Sequence, residues 1–194
     1  VPLTELLRPA AEHLPEYAAA LRRGFEPSTY SGPATARRHL DAMCEDAEAF
    51  LASLDDPAAL GPPVVLPDGS TKPRLPGFTR WIWSNGFCGV VNFRWQPGTA
   101  ALPAHVLGHA GYLVAAWRRG EGHATRALSL LLRQVNGLGL PWIELTTEPE
   151  NHASIKVIEA NGGVLVERFQ KLVSHGGGPG LRFRIALPAP SSPG

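Results

Sequence analysis

Residues 112 to 125, Tyr-Leu-Val-Ala-Ala-Trp-Arg-Arg-Gly-Glu-Gly-His-Ala-Thr, constrain the fold more than any other stretch of this chain. An apolar run of strand type ends at Trp117, a basic and glycine-rich turn follows, and the pattern turns helical directly behind it. That order builds an anion site. The first N–H groups of a helix have no partner inside it, and the helix dipole adds partial positive charge at that end. Gly120 and Gly122 permit a sharp turn and a close approach of ligand to backbone. Arg118 and Arg119 add full charges.

The remaining elements surround that unit. Pro2–Leu7 suits a short first strand, and Ala10–Arg23 a helix stopped by Gly24. Pro33–Leu54 reads as one long helix, because Leu40, Met43, Ala47, Phe50, Leu51 and Leu54 recur at steps of three and four. Asp56–Gly77 contains Gly61-Pro62-Pro63 and Pro67-Asp68-Gly69, which exclude a helix or central strand. A surface loop of this length serves as a lid, a binding loop or a plain connector. Phe78–Ser84 and Phe87–Trp95 flank Asn85-Gly86, a hairpin signal.

Pro97–Gly108 is a second loop, and His109–Ala116 the strand before the glycine turn. Ala124–Val135 is the helix behind it, apolar at 124, 127, 128, 131 and 135, with a stop at Asn136-Gly137. Trp142–Thr147 is a strand. Asn151–Ala160 is a helix capped by Asn151 and ended by Asn161-Gly162. Val164–Gln170 and Leu181–Leu187 form a closing strand pair around a glycine-rich connection. No internal repeat is visible. The expected class is α+β (mixed α/β), with a mixed central sheet of about six or seven strands flanked by helices on both faces.

The chain's 194 residues suit one domain over 1–187. Within it, 1–55 holds the N-terminal strand and helices, 56–77 the loop, and 78–187 the core with the anion turn; 188–194 reads as a loose tail. Eighteen Lys and Arg against 17 Asp and Glu leave a net charge of +1, which argues against a general nucleic-acid or membrane surface. Cys44 and Cys88 are too few for a disulfide framework, no apolar run reaches membrane length, and no secretory signal pattern is seen, so a cytoplasmic protein is expected. His105 and His109 stand four apart, but Pro103 and Gly108 oppose a helix there, and no metal site is expected.

Arg119-Gly-Glu-Gly122-His-Ala124 fits the pattern Arg/Gln-x-x-Gly-x-Gly/Ala, and Thr146-Thr-Glu-Pro-Glu-Asn151-His-Ala-Ser154-Ile-Lys-Val-Ile-Glu-Ala-Asn-Gly162 follows at a fitting distance. Together these resemble the two motifs of the GNAT superfamily of N-acetyltransferases, in the form found in its ribosomal-protein alanine acetyltransferase branch. The resemblance spans roughly residues 78 to 187; the first 77 share only two early helices. Gly120-x-Gly122 also admits a dinucleotide-binding reading, with Glu144 near the acidic position, although Thr125 stands where that fingerprint needs Gly or Ala. A Walker-type phosphate loop is excluded for want of Gly-Lys-Ser/Thr.

The resemblance implies acetyl-coenzyme A as cofactor and a primary amine, small molecule or peptide, as acceptor. Arg119, Gly120, Glu121, Gly122, His123, Ala124 and Thr125 would hold the pyrophosphate, chiefly by backbone N–H groups, leaving the Glu121 and His123 side chains free to face solvent. Leu113, Val114 and Ala116 would lie along the pantetheine arm, Leu113 and Val114 pairing with it as an added strand would. The N–H near Val114 would donate to the thioester carbonyl. Asn151 would bond the arm, cap its helix, or both. Arg126 and Lys156 would reach the 3′-phosphate or stay solvated.

The chemistry needs a neutral amine, and only about 1 in 2,500 lysine-like amines is neutral at pH 7. His109 occupies the position where the branch often carries an acidic base, two residues before Gly111-Tyr112. It is either that base or a strand-start histidine bonded to a loop. Glu144 is the second candidate, on the face of its strand shared with Trp142 and Thr146, or else a salt-bridged surface residue. The tyrosine that many members use to protonate the thiolate is replaced here by Ile158. Ser154, matching the branch's serine, takes that role or is an ordinary first-turn serine. Tyr112 is a further candidate. Trp81, Trp83 and Trp95 would support the sheet, and Arg94 and the 56–77 loop the acceptor pocket.

Two functions follow. One is acetyl transfer by direct attack within a ternary complex, consistent with the absence of cysteine from both motifs. The other is a non-catalytic acyl-coenzyme A module or sensor, suggested by Ile158. A homodimer is compatible with either.

Overall fold

The computed structural model describes residues 3–29, 32–66 and 69–188. The chain opens with strand β1 (Glu5–Leu7), a 3-10 turn, and helix α1 (Leu14–Arg22), whose Pro15 sits in the first turn where no N–H is needed. The long helix expected over Pro33–Leu54 is two helices, α2 (Gly32–Glu45) and α3 (Ala47–Ser53). Asp46 divides them. Its backbone is extended, and its side chain accepts the Ala49 N–H at 2.9 Å. A carboxylate that caps the second helix competes with continuation of the first, while the apolar period runs on through the break.

The loop that follows carries three two-residue strands: β2 (Asp55–Asp56), β3 (Val64–Val65) and β4 (Thr71–Lys72). β3 and β4 pair only with each other, so no central strand passes through the Pro/Gly segment. Strands β5 (Gly77–Trp83) and β6 (Phe87–Arg94) form the Asn-Gly hairpin. Asn85 and Gly86 both take positive φ in the three-residue turn between the paired Trp83 and Phe87. Strand β7 (Ala110–Val114) precedes the glycine turn and helix α4 (His123–Val135) follows it. Then come β8 (Trp142–Thr147), α5 (His152–Glu159), β9 (Val164–Gln170) and β10 (Pro179–Ala186). The expected tail of 188–194 lies outside the described residues apart from Pro188, as do Pro2 of the first strand and Pro67-Asp68 of the loop.

The α+β class holds, but the sheet is divided. One part has the order β1-β5-β6-β7 with β2 beside β5, the other β8-β10-β9, and the strand pairings of both are antiparallel among the described residues. The parts meet at the start of β7, where the His109 N–H donates to the Glu144 carbonyl at 2.8 Å. Strand alternation sends side chains to two cores. Trp81, Phe87 and Val90 pack with Tyr17, Leu21, Phe25 and Phe50 from α1, α3 and the α1 exit. Val91 and Phe93 pack with Leu128, Leu131 and Val135 of α4, Ile158 of α5, and the inner residues of β8 and β10. Of the apolar stripe expected on α4, positions 127, 128, 131 and 135 are fully buried; Ala124 lines a cleft instead.

Candidate active site

The opening between β7 and β8 is the mouth of a cleft of about 1110 Å³. One wall is Ala110 to Val114, the other Leu145 to Thr147, and α5 closes the floor with Ser154, Val157 and Ile158. The register decides what β7 presents to it. The Arg94 N–H bonds the His109 carbonyl and the Ala115 N–H bonds the Cys88 carbonyl, each at 2.8 Å. Bonded pairs alternate along an antiparallel ladder. With Val90 opposite Leu113 and Val91 opposite Tyr112, the backbone groups of Gly111 and Leu113 therefore point to β6, and those of Tyr112 and Val114 point into the opening. Leu113 thus cannot pair by backbone with a guest strand, a correction to the expectation. Its amide already serves the sheet, and Tyr112 takes its place beside Val114.

At the end of β7 a 3-10 turn, Ala116–Arg118, leads into the glycine turn, with Ala116 exposed. Gly120 and Gly122 have φ of +81° and +80°, left-handed values that a side chain would strain. A Cβ on Gly120 would meet nothing within 4 Å. The N-cap of α4 is Gly122, and no side chain caps the helix, so its first amides open on the cleft, which Gly120, Gly122, His123, Ala124 and Thr125 line. The Arg119 Nε donates to the Val114 carbonyl at 3.2 Å, which ties the turn to the strand edge.

Of the two side chains expected to face solvent, Glu121 is exposed and His123 is not. His123 is 3 % exposed and lies between Thr4 Oγ1 (3.0 Å) and Glu121 Oε2 (3.0 Å). Arg118 bonds the Ser84 carbonyl (3.0 Å) and approaches Glu121 Oε2 (3.3 Å). His123 thus turns inward, while Glu121 stays at the surface and braces the turn through its Oε2. Arg126 folds back onto the Glu121 carbonyl at 3.2 Å, and Lys156 is exposed on α5.

Two sequence candidates meet within the cleft. The Tyr112 hydroxyl lies 2.8 Å from Ser154 Oγ and 3.3 Å from the Ser154 carbonyl. Burial pushes the phenol up to about 12, with the serine bond opposing, so Tyr112 stays protonated near neutral pH. Asn151 Oδ1 accepts the Ser154 N–H at 3.1 Å, which makes it the N-cap of α5 while its side chain remains on the cleft wall. Ile158 is buried at the cleft floor, and Tyr112 brings a phenol to the cleft from β7.

The two proposed bases are elsewhere. His109 is 0 % exposed and does not line the cleft. Its Nδ1 accepts the Glu144 N–H at 3.0 Å, and its Nε2 is buried with no hydrogen-bond partner among the described residues. Burial pushes the imidazole down to about 4, against smaller opposing effects of Glu144 and the Ala100 carbonyl. With the lone pair committed to a peptide N–H, the ring is a clasp between the two sheets. Glu144 holds Arg182 (3.0 Å) through one oxygen and Arg184 (2.8 Å) through the other, and its side chain is 10 % exposed. Both carboxylate oxygens are held by guanidinium groups, and Glu144 does not line the cleft.

Sequence reasoning passed over His105, which lines the cleft just before β7. Its spacing from His109 suggests only a metal pair, and among the described residues no group of three His, Cys, Asp or Glu side chains is placed to hold a metal. The 56–77 loop does reach the cleft, through Val64, Leu66, Arg74 and Leu75, as does Arg94. Trp81 is fully buried in the sheet, while Trp83 and Trp95 pack partly buried against the two cores.

A two-part antiparallel sheet, split beside an uncapped helix start and its glycine turn, defines a protein that accommodates an extended ligand with an anionic end. Residues 6–164 match the acetyltransferase (GNAT) domain model, and the chain belongs to that family. A search of curated proteins finds no sequence match. Among solved structures, the fold resembles RimL, a ribosomal α-N-protein acetyltransferase in complex with coenzyme A (TM-score 0.60, 15% identity, 95% of this chain and 94% of that one). It also resembles the microcin self-immunity acetyltransferase MccE in complex with acetyl-CoA and AMP (0.55, 13%, 94% and 92%). An acetyltransferase from Agrobacterium tumefaciens is similar as well (0.51, 17%, 94% and 90%).

Proposed function

We propose that the protein transfers an acetyl group from acetyl-coenzyme A to a primary amine by direct attack in a ternary complex. The observation that carries this reading is the conjunction of three features on one cleft: the α4 amides, the outward backbone edge of Tyr112 and Val114, and the Tyr112–Ser154 hydroxyl pair. The residues fit the ligand: the glycine turn leaves open space where a diphosphate needs it, and the strand edge offers donors and acceptors at the spacing of an added strand. When bound, acetyl-coenzyme A supplies an activated acyl group as its thioester.

Arg119 to Thr125 hold the anionic end, and the Asn151 side chain reaches the arm. The Val114 N–H stabilises the oxygen on which negative charge grows, a donor whose loss typically lowers rate by about 10²–10³. The Ser154 hydroxyl, backed by the Tyr112 O–H, delivers a proton to the departing sulfur. His105, an imidazole on the cleft wall just before β7, takes the proton of the incoming amine directly or through water.

The test is calorimetric titration with coenzyme A, followed by a thiol-release assay over a panel of amines. Micromolar binding with turnover of at least one amine is expected. Binding without turnover of any amine would replace this reading with the acyl-coenzyme A module; absence of binding at millimolar ligand would remove both. Two free cysteines, one of them exposed, accord with the proposed cytoplasmic location. No described helix is long and apolar enough to cross a membrane.

A further inference from the structure

The cleft has two ends. Val114 and the glycine turn mark one; Gly108, at the start of β7, lies six residues away, about 20 Å along an extended chain. That second end is walled by three segments the cofactor does not need: the α1–α2 connection, the 56–77 loop and residues 105–108. Leu54, Leu66, Leu75, Phe78, Val106 and Leu107 give it a hydrocarbon wall, and Arg74, Arg94 and His105 stand beside them.

The carboxylates described on the cleft wall are Asp56 and Glu148, and both are engaged. Asp56 accepts the Leu60 and Gly61 N–H groups (2.8 and 2.9 Å) and lies 3.9 Å from Arg74. Those amides, with help from Arg74, hold its carboxyl below the usual range. Glu148 bonds Lys171 Nζ at 2.6 Å. Asp56 thus accepts on both oxygens beside a guanidinium, and Glu148 is already paired with an ammonium group of the wall.

From the apolar wall and these spoken-for carboxylates we infer that the acceptor is a monoamine with an apolar body, of the alkylamine or aralkylamine type, and carries no second cation. The inference rests on the acetyl-transfer reading and deepens it. The amine nitrogen points along β7 toward Tyr112, and the hydrocarbon lies against the 56–77 loop and residues 105–108. Each methylene laid on that wall raises kcat/KM by about fourfold while it stays within the cleft. A polyamine or aminoglycoside must bring a second cation against that hydrocarbon and beside Arg74 and Arg94, where both carboxylates already have cationic partners. A peptide N-terminus must bring its polar backbone onto the same surface.

The experiment is the thiol-release assay with ethylamine, butylamine, hexylamine, phenethylamine, spermidine and a short peptide with a free N-terminus. Expected is a rise of at least tenfold in kcat/KM from ethylamine to hexylamine, with phenethylamine comparable and spermidine and the peptide below both. Spermidine or the peptide exceeding hexylamine would overturn the inference and leave acetyl transfer standing; no turnover with any amine, despite coenzyme A binding, would overturn both. Leu66→Glu supplies a second arm. With an unchanged melting temperature, it should raise the cadaverine-to-hexylamine ratio of kcat/KM about tenfold or more. An unchanged ratio in this folded variant would also refute the apolar-wall assignment.

Discussion

The clasp at His109 yields a sharp test, because a base and a clasp respond to pH in different ways. Folding moves this imidazole from an ordinary value near 6.5 down to about 4, since burial opposes its charged form. Between those values the unfolded chain binds the proton and the folded one does not. Its contribution is therefore complete above pH 6.5 and is lost progressively as the pH falls toward 4. Linkage makes the loss about 2 kcal/mol at pH 5 and nearly nothing at pH 7.5. His39, which burial and Arg38 also push down to about 4, behaves in the same sense, so the measurement must be a difference. His109→Gln leaves His39 in place and retains an acceptor for the Glu144 N–H, but loses packing on Phe93 and Trp142. It should destabilise by about 1–3 kcal/mol at pH 7.5. Urea unfolding of both proteins at a series of pH values should show that gap narrowing by about 2 kcal/mol by pH 5. Turnover per folded molecule should change little. Parallel stability curves would refute the buried neutral clasp, and a hundredfold fall in turnover with full stability would restore His109 as the base.

Three further outcomes are expected. Gly122→Trp places bulk in the turn and a side chain at φ +80°; coenzyme A affinity by calorimetry should fall at least tenfold in a protein that still folds, and normal affinity would misplace the site. Tyr112→Phe and Ser154→Ala should each lower kcat by about 10- to 100-fold, at the low end of proton-transfer effects, with coenzyme A affinity changed less than threefold; unchanged kcat in both would remove the hydroxyl pair from the chemistry. Glu144→Ala leaves Arg182 and Arg184 without their shared carboxylate, so the melting temperature should drop by several degrees while kcat/KM of the folded enzyme is retained.

Local chemistry made much of this protein legible in advance. Asn85-Gly86 could only be a tight turn between two β-rich runs, and Gly120 and Gly122 marked left-handed backbone ahead of a helix whose period is unmistakable. The anion turn was readable because it acts through backbone, and backbone conformation is written in a few adjacent residues. Asp46 was harder, since the apolar stripe that signals burial crosses the break between α2 and α3 without interruption.

What tertiary structure alone decided is the assignment of side chains to roles. Tyr112 and Ser154 are 42 positions apart, and only the packing of α5 beneath β7 joins them. His109 and Glu144 carry residue types suited to proton transfer, but one is sealed behind Phe93 and Trp142 and the other is taken by arginines from β10. The edge of β7 that faces the opening depends on register with β6, a one-residue matter that reverses which amides are available. Local spacing determines where a chain turns and which way a helix faces. Solvent access, hydrogen-bond partners and charge partners are set by segments far apart in sequence, and those are what separate a catalytic group from a structural one.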